Sequence, residues 1–454
     1  MFLFGYEWGD SMEIAMAFIV CFLLLIYSSV KGIFVGYSLS IGLLIFIILA
    51  CKRNFKLIDV LRMAYNGGKK SFIVLQIFIL IGAVTSTWMA SGTVPAIVYY
   101  GIRLLNPNTF IISVFLICSV VSFLLGTSFG TVGTVGVAFM VMARSGDVNQ
   151  SLVAGAILSG AYFGDRCSPM SSSANLVANI TETNLYTNIK NMFKSSLLPL
   201  LITVFIYLIF SIMFPLNILQ NNISSEIIKI FDISITTLIP AFIVLIFCIF
   251  KVNVKVSIAI SIIAASIISI VIQQTSVIDI IRYIIMGYDI ETNSVLSEII
   301  KGGGIVSMLK SAFIVFISSA FTGIFEGTRM LESLNSMANK SESRAGSFFT
   351  TIIVSIITSA FGCTQTLALI LTHMLVKKNY EENEMDKESL ALDIENSAIV
   401  IAPLIPWNIA LLVPLATLNA GESAVMYAFY LYLIPLTNLL YFKIRNSKKF
   451  AIQN

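Results

Sequence analysis

The chain has 454 residues, 57% of them hydrophobic and only 11% charged, with a mean hydropathy of +0.92 and a formal net charge of +4. Soluble domains carry about 25% charged residues, so the composition excludes a soluble globular domain and indicates an all-α, polytopic membrane protein. The small, dispersed charge gives no argument for a nucleic-acid partner, the single His373 cannot build a histidine metal site, and six cysteines without ligand or disulfide spacing read as buried thiols.

The first charges are acidic (Glu7, Asp10, Glu13) and the first basic residue is Lys31, so no cleavable signal peptide is expected. A span needs about 20 apolar residues. Residues 14–30 and 33–51 approach this and are joined at Lys31-Gly32. A basic connector follows with Lys52, Arg53, Lys56, Arg62, Lys69 and Lys70, and contains Gly67-Gly68. Residues 71–90 form the next span, broken at Ser91-Gly92-Thr93-Val94-Pro95. The span at about 110–125 meets Gly126-Thr127-Ser128-Phe129-Gly130-Thr131-Val132-Gly133, and apolar helix resumes at 134–143. The uncharged segment 151–163 then runs into Gly164-Asp165-Arg166-Cys167-Ser168-Pro169-Met170-Ser171-Ser172-Ser173-Ala174-Asn175. Such polarity is expensive in hydrocarbon and is tolerated where it lines a cavity or pathway. A polar, interfacial segment (181–194) and a plain span (196–215) close the first half.

The second half repeats the first. Gly67-Gly68 recurs as Gly302-Gly303, and Gly92-Thr93 as Gly327-Thr328, both 235 positions later. Gly126-Thr127-Ser128 is matched by Gly362-Cys363-Thr364 at a shift of 236, and Ser168-Pro169 by Ala402-Pro403 at a shift of 234. The expected organisation is a first transmembrane repeat over 1–215, a linker over 216–232, a second repeat over 233–442 and a tail over 443–454, with 11–13 full or partial crossings in all.

Charge suggests that the repeats are inverted. The first connector is basic and reads as cytoplasmic. Its counterpart (274–301) has Arg282 and Lys301 among Asp279, Asp289, Glu291 and Glu298, and reads as external. The next loop reverses this: Arg103 alone in the first half, but Arg329, Lys340 and Arg344 in the second. Lys443, Arg445, Lys448 and Lys449 place the C-terminus in the cytoplasm of a multi-pass cell-membrane protein.

Inverted repeats put function at interrupted helices in corresponding positions near the midplane. The candidates are Thr127 and Ser128 in the first break, with Asp165, Ser168, Ser171, Ser172 and Asn175 in the second. The other half contributes Thr364 in one break and Glu395, Asn396, Ser397 and Asn408 around Pro403-Leu404-Ile405-Pro406-Trp407 in the other. Freed carbonyls, hydroxyls and amide oxygens replace the water shell of a small cation. Burial favours the protonated acid and a bound cation favours the carboxylate, so one group exchanges a proton for an ion. Asp165 and Glu395 are the proposed charged carriers, with Ser168 as a further candidate sodium ligand.

The motifs Gly126-Thr-Ser-Phe-Gly-Thr-Val-Gly-Thr-Val-Gly136, Gly164-Asp-x-x-Ser-Pro169 with Asn175-Leu176, Ser91-Gly-Thr-Val-Pro95 and Pro403-Leu-Ile-Pro-Trp-Asn408 resemble the signatures of NhaC-type sodium/proton antiporters, in the same order from about Gly67 to Asn408. The resemblance implies an inverted-repeat fold of the ion-transporter superfamily and exchange of Na+ (or Li+ or K+) for H+ without a cofactor. The superfamily also includes malate/lactate exchangers, so a coupled exchanger of small carboxylates or amino acids is the alternative. Three departures stand out. Against the family pattern G-D-K-x-S-P-L-S-D-T-T-N, Ser172 replaces the second acid and Arg166 the lysine; against L-E-D-S-G-T-V-T-S-P, Asn396 replaces the acid after Glu395.

Plainer readings stand beside these. Asp165 and Arg166 also fit an interfacial end pair with a snorkelling arginine. The serines around Pro169 also fit backbone support, and Gly126, Gly130 and Gly133 fit close helix packing. Glu395 also fits a loop boundary after the acidic 381–388 region, and Asn408 a helix cap. An intramembrane hydrolase would need a second catalytic acid or a zinc set, so no enzyme is expected. A homodimer in the bilayer is compatible with the sequence.

Overall fold

The computed structural model describes residues 2–31, 33–104, 106–216, 223–250, 252, 254–289, 302–328, 330, 343–362 and 364–453. Cys363, Arg329, Lys340, Glu291, Glu298, Lys301 and linker residues 217–222 lie outside them. The described residues are helical and contain no strand, only the isolated bridge Tyr288–Gly302. In chain order the helices are α1 (Phe2–Lys31), α2 (Val35–Lys52), α3 (Leu57–Lys70), α4 (Phe72–Ala90), α5 (Thr93–Leu104), α6 (Phe110–Leu125) and α7 (Ser128–Thr131). After these come α8 (Val137–Ser145), α9 (Gln150–Cys167), α10 (Ser172–Ile180), α11 (Leu185–Met213), α12 (Ile223–Ile230), α13 (Ile239–Ile249), α14 (Val254–Val271) and α15 (Val277–Met286). The remainder are α16 (Leu309–Thr328), α17 (Arg344–Gly362), α18 (Gln365–Glu382), α19 (Lys387–Glu395), α20 (Ala398–Ile401), α21 (Ile409–Leu418) and α22 (Phe429–Gln453).

Among the described residues, five segments are long and apolar enough to cross a membrane: Val35–Lys52, Pro107–Leu125, Leu185–Met213, Val306–Thr328 and Arg344–Gly362. Two bent pairs, each a broken span or a re-entrant loop, raise the number to at most seven: Leu75–Ala90 with Thr93–Gly101, bent by 67°, and Lys387–Leu404 with Ile409–Leu418, bent by 49°. The chain is therefore a multi-pass membrane protein.

Helix α11 shows how the fold suits lipid. Its outer face exposes Leu197, Leu198, Leu201, Phe205 and Ile212, while Ser196, Thr203, Tyr207 and Ser211 are buried. Apolar side chains gain nothing by association in lipid, so small and polar residues turn inward and form the contacts. Ser211 Oγ accepts from the backbone N–H of Ile112 at 2.9 Å, and the Tyr207 hydroxyl bonds Ser159 Oγ at 2.8 Å. The polar segment 181–194, expected as a separate interfacial piece, instead enters this same helix from Leu185. Asn184 starts it by capping the N–H groups of Tyr186 and Thr187 at 3.0 and 3.2 Å, and the helix continues through Pro199.

Helices α6 and α9 form the tightest pairing around the site. A Cβ on Gly160 would lie 2.6 Å from the Phe115 carbonyl oxygen, and one on Gly164 would overlap the backbone of Ser122 and Phe123. Gly126 terminates α6 at φ +65°, a left-handed conformation that glycine adopts without steric penalty. A Cβ there would also meet the Met170 carbonyl carbon at 2.6 Å, so the two breaks of the first half touch backbone to backbone. Gly126→Ala is accordingly expected to destabilise the protein by about 1–3 kcal/mol, the range for overpacking. Gly133→Ala, with nothing within 4 Å of the new Cβ, should leave the thermal midpoint of the purified protein near wild type. Equal midpoints for the two variants would refute the close approach.

Three pairs of helix starts are capped at a constant spacing. Thr127 accepts from Gly130 N at 3.4 Å and Thr364 from Leu367 N at 3.2 Å. Asn149 accepts from Leu152 N at 3.2 Å and Asp386 from Ser389 N at 2.8 Å. Ser171 accepts from Ser173 N at 3.1 Å and Asn408 from Ala410 N at 2.9 Å. Each pair is 237 positions apart. Pro169 and Pro406 share this spacing, and each follows a residue in extended conformation, Ser168 and Ile405. Pro403, matched with Pro169 by residue identity, lies in the 3-10 turn Ala402–Leu404.

Candidate ion-exchange site at the paired helix breaks

Asp165 and Arg166 occupy the last turn of α9, immediately before the break. The helix stops because proline disfavours helical backbone in the residue before it. Ser168 accordingly has φ −83° and ψ 134°. Its N–H still bonds the Gly164 carbonyl at 2.9 Å, and its hydroxyl accepts from Met170 N at 3.1 Å. Asn175 clamps the same turn, donating to the carbonyls of Pro169 at 3.2 Å and Ser171 at 2.7 Å. Ser168 and Asn175 thus shape the turn rather than bond to Asp165.

Asp165 is 4% exposed and reaches both breaks of the first half. Ser171 donates to its Oδ1 at 2.9 Å and Ser128 to its Oδ2 at 3.1 Å. The Ser171 oxygen simultaneously caps α10, so one hydroxyl joins a helix N-terminus to the carboxylate. Ser172 points elsewhere: it is exposed and lines a cavity of about 420 Å³ with Thr127, Gly130, Thr134 and Trp88.

The other arm ends α19 at Glu395, with Asn396 as its C-cap. Glu395 is fully buried, and neither carboxylate oxygen has a hydrogen-bond partner; the Asn396 Nδ2 also lacks one. Ser397 donates to the Asp393 carbonyl at 2.6 Å and accepts from Ser355 at 2.9 Å. The Asp393 carboxylate itself is satisfied by Arg344 and Tyr380. Thr364 starts α18, while Asn408 caps α21 and donates to the Ser359 carbonyl at 2.7 Å. Trp407 donates to the neighbouring Ala360 carbonyl at 2.7 Å, tying this break to the end of α17.

Arg166 joins the two arms. It is 0% exposed, which excludes snorkelling. Its Nε donates to the Glu395 carbonyl at 3.1 Å, and its terminal nitrogens donate to Asn396 Oδ1, Ser195 at 3.1 Å, Ser196 and Tyr430 at 3.2 Å. A second link runs through Gln365, which accepts from Ser173 at 3.5 Å and donates to the Ile399 carbonyl at 3.3 Å.

Two buried carboxylates therefore stand at the ends of broken helices, one bonded by two hydroxyls and one without a hydrogen bond. An ionised carboxylate in hydrocarbon without a donor is strongly disfavoured; a proton or a small cation relieves it. No cluster of three or more His, Cys, Asp or Glu side chains that would hold a metal ion occurs among the described residues.

The profile of the Na+/H+ antiporter family matches residues 6–174 and 160–443. The chain belongs to the Na+/H+ antiporter family. Among its curated relatives, the malate-2H(+)/Na(+)-lactate antiporter of Bacillus subtilis (strain 168) is 29% identical over 82% of this chain and 81% of that protein. The Na(+)/H(+) antiporter NhaC of Alkalihalophilus pseudofirmus is 28% identical over 83% of each. The arginine/ornithine antiporter ArcD of Halobacterium salinarum is 26% identical over 74% of this chain and 70% of that protein. For this family member, sequence reasoning missed Ser195, Ser196, Tyr430 and Gln365. Gln365 directly follows Thr364 in a break already singled out, but its side-chain direction was not legible; Ser195, Ser196 and Tyr430 lie on helices remote in sequence from the breaks and carry no local signal beyond being polar in apolar surroundings.

Proposed function

We propose that this chain is a secondary antiporter exchanging Na+ for H+ by alternating access, with Li+ and K+ as the competing cations. The observation that carries the reading is Glu395, fully buried with both carboxylate oxygens unpartnered. Asp165 is the second carrier, with Ser128 and Ser171 as its oxygen ligands. Ser168, Asn175, Thr127, Thr364 and Asn408 hold the breaks in shape, and Asn396 and Ser397 adjoin Glu395. Membership of the Na+/H+ antiporter family supports the cation pair.

Two repeats of opposite orientation, with the C-terminus in the cytoplasm, are part of this proposal. The 237-residue spacing of three cap pairs supports the repeat, and the reversed loop charges support the inversion.

Exchange of a small carboxylate or amino acid is the second reading. The cavity of about 420 Å³ beside Ser172 favours it, being roomier than a bare cation needs. Everted membrane vesicles energised to an acidic interior separate the two. Cation exchange predicts that Na+ or Li+ alone dissipates the pH gradient; a response that appears only with malate, lactate or arginine would establish the second reading instead.

A further inference from the structure

Arg166 is bonded as a cation would be. Five oxygens accept from its guanidinium: the Glu395 carbonyl, Asn396 Oδ1 and the hydroxyls of Ser195, Ser196 and Tyr430. Backbone carbonyl, side-chain amide and hydroxyl oxygens are the ligand types that hard cations take. The Glu395 carbonyl lies in the last turn of α19, where the unpaired carbonyls of a helix end carry partial negative charge.

Members of this shell also bond one another and their own helix. The one proton of Ser195 Oγ goes either to Asn396 Oδ1 at 3.2 Å or to the Met192 carbonyl at 3.0 Å, Tyr430 donates to Ser196 at 3.1 Å, and Ser196 donates to the Met192 carbonyl at 2.6 Å. The five oxygens come from α11, α22 and the end of α19, whereas the guanidinium arrives from α9, where Cys167 Sγ adds a weak contact at 3.8 Å. The arginine bonds the Glu395 carbonyl and acts on the carboxylate through its charge alone, leaving both carboxylate oxygens without a hydrogen bond. Reach and charge come from one side chain, so the positive charge cannot dissociate.

We infer that Arg166 is a tethered cation occupying a monovalent-cation site between the two arms, so that this chain carries one cation fewer than its oxygen shell would hold. It is a specificity-determining residue: it fixes the ion count and reserves the Glu395 carboxylate for exchange. The inference rests on the antiport reading only for that last role; the site itself is a statement about binding.

The test is the number of Na+ ions bound per chain, measured with 22Na+ by equilibrium dialysis of purified protein without a gradient, in choline-balanced buffer. Arg166→Ala should bind one more Na+ per chain than wild type, and its thermal midpoint should rise with NaCl or LiCl more than the wild-type midpoint does. Arg166→Gln, which keeps two amide donors for the shell but no charge, should behave likewise, and Arg166→Lys should keep the wild-type count. If the neutral variants unfold in choline, recovery of the fold in NaCl or LiCl supports the inference. Folded neutral variants with no additional Na+, or variants that neither cation restores, would overturn it. Failure of wild-type exchange in vesicles would bear on the antiport reading alone, because the binding count needs no transport.

Discussion

Asp165→Asn is expected to lower sodium-driven proton flux by about 100-fold or more, the scale lost with an essential proton-transfer group, while the protein still folds. The side chain is 4% exposed and accepts from Ser128 and Ser171. An asparagine keeps the shape and one acceptor oxygen, and its amide can donate to whichever hydroxyl turns to accept. The structural loss should be about 1 kcal/mol, that of one ordinary hydrogen bond. What disappears is the charge, and with it the ability to trade a proton for a cation. Size-exclusion behaviour and thermal midpoint measured beside transport separate the two effects. A variant that folds and still exchanges at the wild-type rate removes Asp165 from the carriers.

Glu395→Gln should give the cleaner dissociation of stability from transport. Neither carboxylate oxygen has a hydrogen-bond partner to lose, so the neutral isostere relieves a desolvated charge and gives up only its through-space attraction to Arg166. The thermal midpoint should hold or rise, while exchange falls by a similar factor of about 100. Asp393, two residues earlier, is a useful contrast because its carboxylate is committed to Arg344 and Tyr380. A Glu395→Gln protein that is markedly less stable would show that the carboxylate is structural.

Much of this arrangement was legible in the sequence because membranes penalise unexplained polarity. Asp165 and Glu395 stood out as acids in apolar runs, and both are buried at helix ends. Pro169 announced the end of α9 through its effect on Ser168, and Thr127, Ser171 and Asn408 are polar residues where helices restart. Roles were less legible than places. Whether a hydroxyl faces a carboxylate or a backbone N–H depends on side-chain direction, so Ser171 bonds Asp165 while Ser168, three residues before it, bonds Met170. The partner set of Arg166 was out of reach for another reason: Ser195 and Ser196 are 29 and 30 positions away and Tyr430 is 264. Only the packing of α9 with α11 and α22 assembles them. The short repeat matches gave shifts of 234 to 236, whereas the caps align at 237. Matching by residue identity had paired Pro169 with Pro403, and matching by the extended residue before it pairs Pro169 with Pro406.

The central claim is that the buried carboxylates at paired helix breaks exchange sodium for protons. Purified wild-type protein in proteoliposomes, with 22Na+ uptake and internal pH recorded in the same vesicles under an acid-inside gradient, tests it most directly. Sodium entry accompanied by proton exit, with no organic substrate present, is the predicted result. Sodium entry that leaves internal pH unchanged, or proton movement that begins only when a small carboxylate or amino acid is added, would contradict it.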